Sequence, residues 1–259
     1  MKIGVSGKGG SGKTMLVAFL ARAFAQDGYS VLAVDADPNS NLAYALGVAH
    51  PENITPLAAM GDLVEERTGA RPGQIAPYFK MNPRVDDLPD RYSIQDNGVK
   101  LMVMGSIKPP SSGCYCPEGA LLQALVAHLL LRRDEVVILD MEAGIEHLTR
   151  GTTKGMDQFL VVVEPSQRSL LTARRVAELA AGIGVQRLAV VVNKVQSQSQ
   201  RDFLAGELSD FEILAWLPYD QDLADADMAG SPLVASSPRI MAEVAKVAAA
   251  LEQAAETQG

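Results

Sequence analysis

Short apolar runs rich in β-branched residues alternate along this chain with stretches whose apolar positions recur at helical spacing. Strand-like runs fall at 2–5, 30–34, 100–104, 135–139, 158–163, 187–192 and 211–216. Val136-Val137-Ile138-Leu139 and Leu188-Ala189-Val190-Val191-Val192 are apolar without interruption, the pattern of strands covered on both faces. Residues 14–27, 117–133, 166–183 and 238–256 carry helical spacing. The alternation predicts an α/β fold, a doubly wound, mostly parallel sheet of about seven strands with helices on both faces. The stretch near 70–98 is proline-rich and weakly periodic, and reads as a weakly structured insertion within a single domain spanning 1–259. Polar residues at 196–202 mark a further loop, and no internal repeat or linker divides the chain.

Composition narrows the partners. Hydrophobic residues make up 47% and charged residues 21%, ordinary values for a globular protein of 259 residues. The net charge of −8 argues against an extended nucleic-acid footprint. No apolar run approaches the roughly 18 residues of a membrane span. The N-terminal apolar stretch breaks at glycines, so no secretory leader is predicted. The helix expected at 238–256 is alanine-rich and slightly acidic, unlike a basic membrane anchor. The expectation is a cytoplasmic protein with neither a nucleic-acid nor a membrane partner.

Chemistry enters at the end of the first strand. Gly7-Lys8-Gly9-Gly10-Ser11-Gly12-Lys13-Thr14 fits the spacing G-x-x-x-x-G-K-[ST] between a strand and a helix. Its glycines let successive backbone N–H groups turn inward into an anion nest, and the following helix adds its positive end. Lys13 is placed to reach the β- and γ-phosphates of a nucleotide, and the Thr14 hydroxyl to bind Mg²⁺. The loop holds a second lysine, Lys8, which reads on its own either as a surface charge or as a group with a separate task.

Lys8-Gly9-Gly10-Ser11-Gly12-Lys13-Thr14 resembles the loop of the deviant P-loop ATPases, the class that includes the nitrogenase iron protein and the septum- and chromosome-positioning ATPases. The resemblance implies the P-loop NTPase fold, Mg²⁺-dependent ATP hydrolysis and a homodimer. In that dimer Lys8 would cross to the partner's nucleotide and act as a trans arginine finger does. It also assigns the acids that follow strands. In Asp35-Ala36-Asp37-Pro38-Asn39, Asp37 takes the place of the residue that positions the attacking water, and Asp35 falls to the Mg²⁺ shell. Spacing alone leaves a helix cap or turn open at Asp37. Asp140 ends an apolar strand as a Walker B acid, and Gly144 of Asp140-Met141-Glu142-Ala143-Gly144 is expected to approach the γ-phosphate. Asn193-Lys194 is expected at adenine, since a carboxamide can pair with N6 and N7 together. Gln196 stands where a guanine-reading Asp would be, so ATP is favoured over GTP, and Leu217-Pro218-Tyr219-Asp220 resembles a second adenine-side loop through Pro218.

The chain's two cysteines lie in Ser112-Gly113-Cys114-Tyr115-Cys116-Pro117. Alone, Cys-x-Cys fits a sealed core pair as well as a metal site. The flanking Ser, Gly, Tyr and Pro favour an exposed loop, and a soft metal needing four ligands would draw two thiolates from each chain of a dimer. Cys114-x-Cys116 ahead of the Asp140 strand, with Asp140-Met141-Glu142-Ala143-Gly144-Ile145-Glu146-His147, resembles the accessory ATPases that insert nickel for carbon monoxide dehydrogenase. This implies a dimer promoted by ATP and by nickel or zinc at its interface, serving apo carbon monoxide dehydrogenase or the related acetyl-CoA synthase as a metallochaperone. His128 and His147 are further imidazoles, His128 reading mainly as a packed or surface helix residue. The alternative is a spatial-organisation ATPase working through a membrane- or DNA-bound partner.

Overall fold

The computed structural model describes residues 1–37, 39–72, 78–105, 116–133, 135–142 and 153–256. Among these residues, eight strands form one sheet in the order β3-β4-β2-β5-β1-β6-β7-β8. They are β1 (Lys2–Gly7), β2 (Val31–Asp35), β3 (Ile94–Asp96), β4 (Val99–Val103), β5 (Val136–Asp140), β6 (Gln158–Val163), β7 (Leu188–Val195) and β8 (Glu212–Pro218). Every pairing is parallel except β3 with β4. The expected sheet is there, with one strand more than the apolar runs predicted.

Strand residues alternate between two cores. Leu32, Val34, Val137, Leu139, Phe159 and Val161 pack on one face with α3 (Gly61–Thr68), α5 (Pro117–Arg132) and α6 (Gln167–Ile183). Val31, Ala33, Val136, Ile138, Leu160 and Val162 pack on the other with α1 (Lys13–Gln26), α2 (Leu42–Leu46) and α9 (Pro238–Glu256). The period of two explains why the strands read as unbroken apolar runs: both alternating sets are buried. Helix α1 is covered nearly all round, including Arg22, whose guanidinium donates to Asn97 O at 2.7 Å and Asp96 Oδ2 at 2.9 Å.

Two local expectations change. Within 70–98, the described residues include α4 (Leu88–Tyr92) and the edge strand β3, and Asn97-Gly98 turns β3 into β4 with φ of 44° and 84°. Asn-Gly is the pair that such a left-handed hairpin turn selects. The loop expected at 196–202 gives way to α7 (Gln198–Glu207), because the Ser197 hydroxyl accepts the Gln200 N–H and caps a helix that buries only Leu204. The remaining helix, α8 (Gln221–Met228), follows β8. No helix among the described residues is long and apolar enough to cross a membrane.

Candidate functional site

The sheet changes direction at its centre: from β1 the chain first winds toward β2 and β4, then through β5 back across β1 to β6, β7 and β8. Ligands of such sheets sit beyond the carboxyl ends of the strands at this reversal. Here β1 ends in the glycine loop, which Ser11 N closes by donating to Lys8 O at 3.0 Å before α1 begins. Gly7 pairs with Val162 of β6, so close that a Cβ at Gly7 would stand 2.5 Å from Val162 O. Gly12 has φ of 98°, and a Cβ there would run into the Asn193 carboxamide. Gly12→Ala should therefore cost about 2 kcal/mol of backbone strain and weaken ATP binding roughly tenfold or more, read by thermal melting and calorimetric titration.

A cavity of about 830 Å³ opens over this loop, within the usual range for a small-molecule site. Gly9, Gly10, Gly12, Lys13, Thr14, Asp37, Asn193, Lys194 and Pro218 all line it. Gly7, Lys8, Ser11, Asp35 and Asp140 are not part of that lining. Ser11 is fully buried within the loop, and its hydroxyl has no hydrogen-bond partner among the described residues. Lys8 turns aside to Glu164, its Nζ 2.9 Å from Oε1.

Asp35 and Asp140 stand side by side on neighbouring parallel strands, and both are fully buried. Burial pushes Asp35 up to about 6 and Asp140 up to about 7. The Asp35 oxygens accept N–H groups from Asp37 at 3.2 Å and Leu42 at 3.0 Å, so this carboxylate ties down the segment after β2. Asp140 differs. The Thr14 hydroxyl and Lys13 oppose its upward shift, yet among the described residues neither carboxylate oxygen has a hydrogen bond of good geometry. A buried carboxylate with no well-formed hydrogen bond, beside the threonine of a phosphate loop, fits a divalent cation. Asp37 lines the cavity while its Oδ1 accepts Asn39 N–H at 2.8 Å, so the turn and the site use the same side chain.

Asn193 does more than face the cavity. Its Nδ2 donates to Ser11 O at 2.9 Å and its Oδ1 accepts Lys194 N–H at 2.9 Å. Much of the carboxamide expected at adenine is thus engaged in anchoring the loop. Lys194, at φ of 61°, donates its Nζ to Gly10 O at 2.6 Å. The cavity also takes in Tyr44 of α2 and Leu223 and Asp227 of α8, which no motif marked. Asp220 positions α8: its Oδ1 caps Leu223 N–H at 3.1 Å and its Oδ2 accepts the Ser237 hydroxyl at 2.9 Å.

Cys114, Gly144 and His147 lie outside the described residues. Cys116 is the N-cap of α5, with its sulfur 3.1 Å from where a Cβ at Gly119 would lie. His128 sits on the same helix, about 18 Å further along at 1.5 Å per residue, too far to join Cys116 within one chain. Its pKa is lowered by burial, and its Nε2 is buried with no hydrogen-bond partner among the described residues. Among the described residues, no group of three or more His, Cys, Asp or Glu is placed to hold a metal ion.

Residues 3–233 match the family described as the CobQ/CobB/MinD/ParA nucleotide binding domain. Over 262 residues the chain is 41% identical to the carbon monoxide dehydrogenase accessory protein CooC of Rhodospirillum rubrum, covering 100% of this chain and 99% of that protein. It is 46% identical over 236 residues to an uncharacterized ATP-binding protein of Methanocaldococcus jannaschii, covering 90% of this chain and 91% of the relative. The MinC:MinD cell division protein complex of Aquifex aeolicus contains a chain of the same fold, with a TM-score of 0.69 and 21% identity over 97% of this chain and 95% of that one.

Proposed function

Because the chain belongs to the CobQ/CobB/MinD/ParA nucleotide-binding family of P-loop ATPases, we propose that it is a dimeric ATPase metallochaperone. Its task is to load nickel into apo carbon monoxide dehydrogenase or the related acetyl-CoA synthase, through a metal site shared by two Cys114-x-Cys116 pairs. The observation that carries this reading is similarity along the full chain to a carbon monoxide dehydrogenase accessory protein. The cysteine pair gives it chemistry.

In this reading the loop N–H groups from Gly7 to Thr14 and the Lys13 ammonium cradle the phosphates of ATP. Thr14 and Asp140 would hold Mg²⁺, which when bound neutralises charge on the β- and γ-oxygens. Asp35 keeps the Asp37 segment in place through the Leu42 and Asp37 N–H groups. Asp37 orients water for attack on the γ-phosphorus, and the bond to the bridging oxygen of ADP breaks. Lys8 of each chain supplies positive charge to the partner's nucleotide. ATP closes the dimer and brings four thiolates around one metal ion; hydrolysis reopens it and releases the metal to the client.

The test begins with protein purified without chelator, its metal content and mass measured with and without ATP. About one metal ion per dimer is expected, with metal and dimerisation promoting each other by linkage. Cys114→Ser and Cys116→Ser should lose that metal and the metal-driven dimer, still bind ATP, and fail to activate the client. Stoichiometric metal on a monomer, or metal retained by both variants, overturns the shared site. A cysteine-independent protein that binds vesicles or DNA belongs instead with the spatial-organisation ATPases.

A further inference from the structure

Lys8 is held within its own chain. Its Nζ lies 2.9 Å from Glu164 Oε1 and donates to Gly9 O at 3.2 Å. Glu164 directly follows β6, and its backbone N–H donates to Ser169 Oγ at 3.1 Å, which fixes it against the first turn of α6. Its second oxygen, Oε2, stands 3.7 Å from the Nζ of Lys194, the lysine bonded to Gly10 O. One carboxylate therefore faces two lysines, each of which also holds a carbonyl of the loop tip.

We propose that Glu164 is a positioning residue that latches Lys8 in cis, so that the lysine reaches a second chain only when this ion pair is exchanged. The proposal rests on the reading that Lys8 acts across a dimer, and it adds the step that controls when it can. The pair is open to exchange, because its side chains are 31% and 18% exposed and water can reach it. When Lys8 departs, Glu164 still faces Lys194, so no partly buried carboxylate is left without a cation. Space is open beside the tip: a Cβ at Gly9 or Gly10 would meet nothing within 4 Å.

The latch makes dimerisation depend on the nucleotide. A terminal phosphate on the partner chain offers Lys8 more negative charge than one carboxylate, and so competes with Glu164. Once that phosphate is released, the carboxylate in cis is again the better partner. Lys8 returns to Glu164, and the dimer loses a cross-chain contact on each side.

The test uses full-length protein with ATP and Mg²⁺ and reads the dimer dissociation constant by sedimentation, for Glu164→Gln and Glu164→Ala, each alone and with Lys8→Ala. A partly exposed ion pair is worth a factor of about 3, and each dimer opens two, so either single variant should tighten the dimer about tenfold. The protein concentration giving half-maximal ATPase activity should fall with it. With Lys8→Ala present, the same substitutions should produce no tightening. A dimer unchanged or weakened in both Glu164 variants overturns the latch, and so does tightening that persists without Lys8. If Lys8→Ala alone dimerises and hydrolyses ATP like the parent, the cross-chain role of Lys8 has failed, a result separate from the fate of the latch.

Discussion

Lys13→Ala is expected to abolish ATP binding, whereas Asp37→Ala should keep the nucleotide and stop its turnover. Lys13 opens α1, is only 6% exposed, and lines the cavity where the helix end and the loop N–H groups converge. The neighbouring lysines do not replace it: Lys8 is paired with Glu164, and Lys194 is bonded to Gly10 O. Losing a charge-assisted contact with two phosphates should weaken ATP by roughly 100-fold or more, measured by calorimetric titration. Asp37 also lines the cavity, held by its Asn39 turn, and among the described residues its hydrogen bonds reach neither the loop nor α1. Its removal should leave affinity near that of the parent and lower turnover by about 100-fold or more. An Asp37→Ala protein that hydrolyses ATP at the parent rate would remove this residue from the water-positioning role.

The phosphate loop was legible because its chemistry is local. A nest of N–H groups needs glycines at fixed intervals, and Gly7, Gly12, Lys13 and Thr14 are neighbours in sequence before they are neighbours in space. The acids were nearly as readable, since a carboxylate at the tip of a buried strand falls at the ligand end of a parallel sheet. Their division of labour was not. Asp35 bonds to the chain ahead of α2, whereas Asp140 makes no well-formed hydrogen bond among the described residues, a difference that depends on how residues 39–42 fold back.

Glu164 is 156 positions from Lys8, and Asn193 is 182 from Ser11. An acid before a proline, or an amide after a strand, carries no pattern that names such a partner; only β6 and β7 running in register toward the loop bring them together. The same reason hid α7, whose polar first turn depends on the Ser197 cap, and β3, which is too short to show a period of two. The Asn97-Gly98 turn was a usable sign of the hairpin, masked by the proline-rich stretch ahead of it.

Lys8→Ala should bind ATP within a few-fold of the parent and yet lose both ATP-dependent dimerisation and turnover, the latter by about 1,000-fold. Affinity survives because Lys8 does not line its own chain's cavity. Turnover should not, because in the proposed dimer Lys8 would supply its charge to the partner's site. Mixing separates this arrangement from any role in cis. A chain carrying Lys8→Ala keeps Asp37 and lacks only the lysine that its partner provides; a chain carrying Asp37→Ala supplies that lysine. Two inactive proteins combined in equal amounts, at concentrations high enough to force pairing despite the lost contact, should therefore recover activity: random pairing makes half the dimers mixed, each with one complete site, giving about a quarter of the parent rate. A lysine acting on its own nucleotide would leave every site in the mixture defective. Recovery near a quarter places Lys8 across the dimer, whereas an inactive mixture of variants that still dimerise would return it to its own chain.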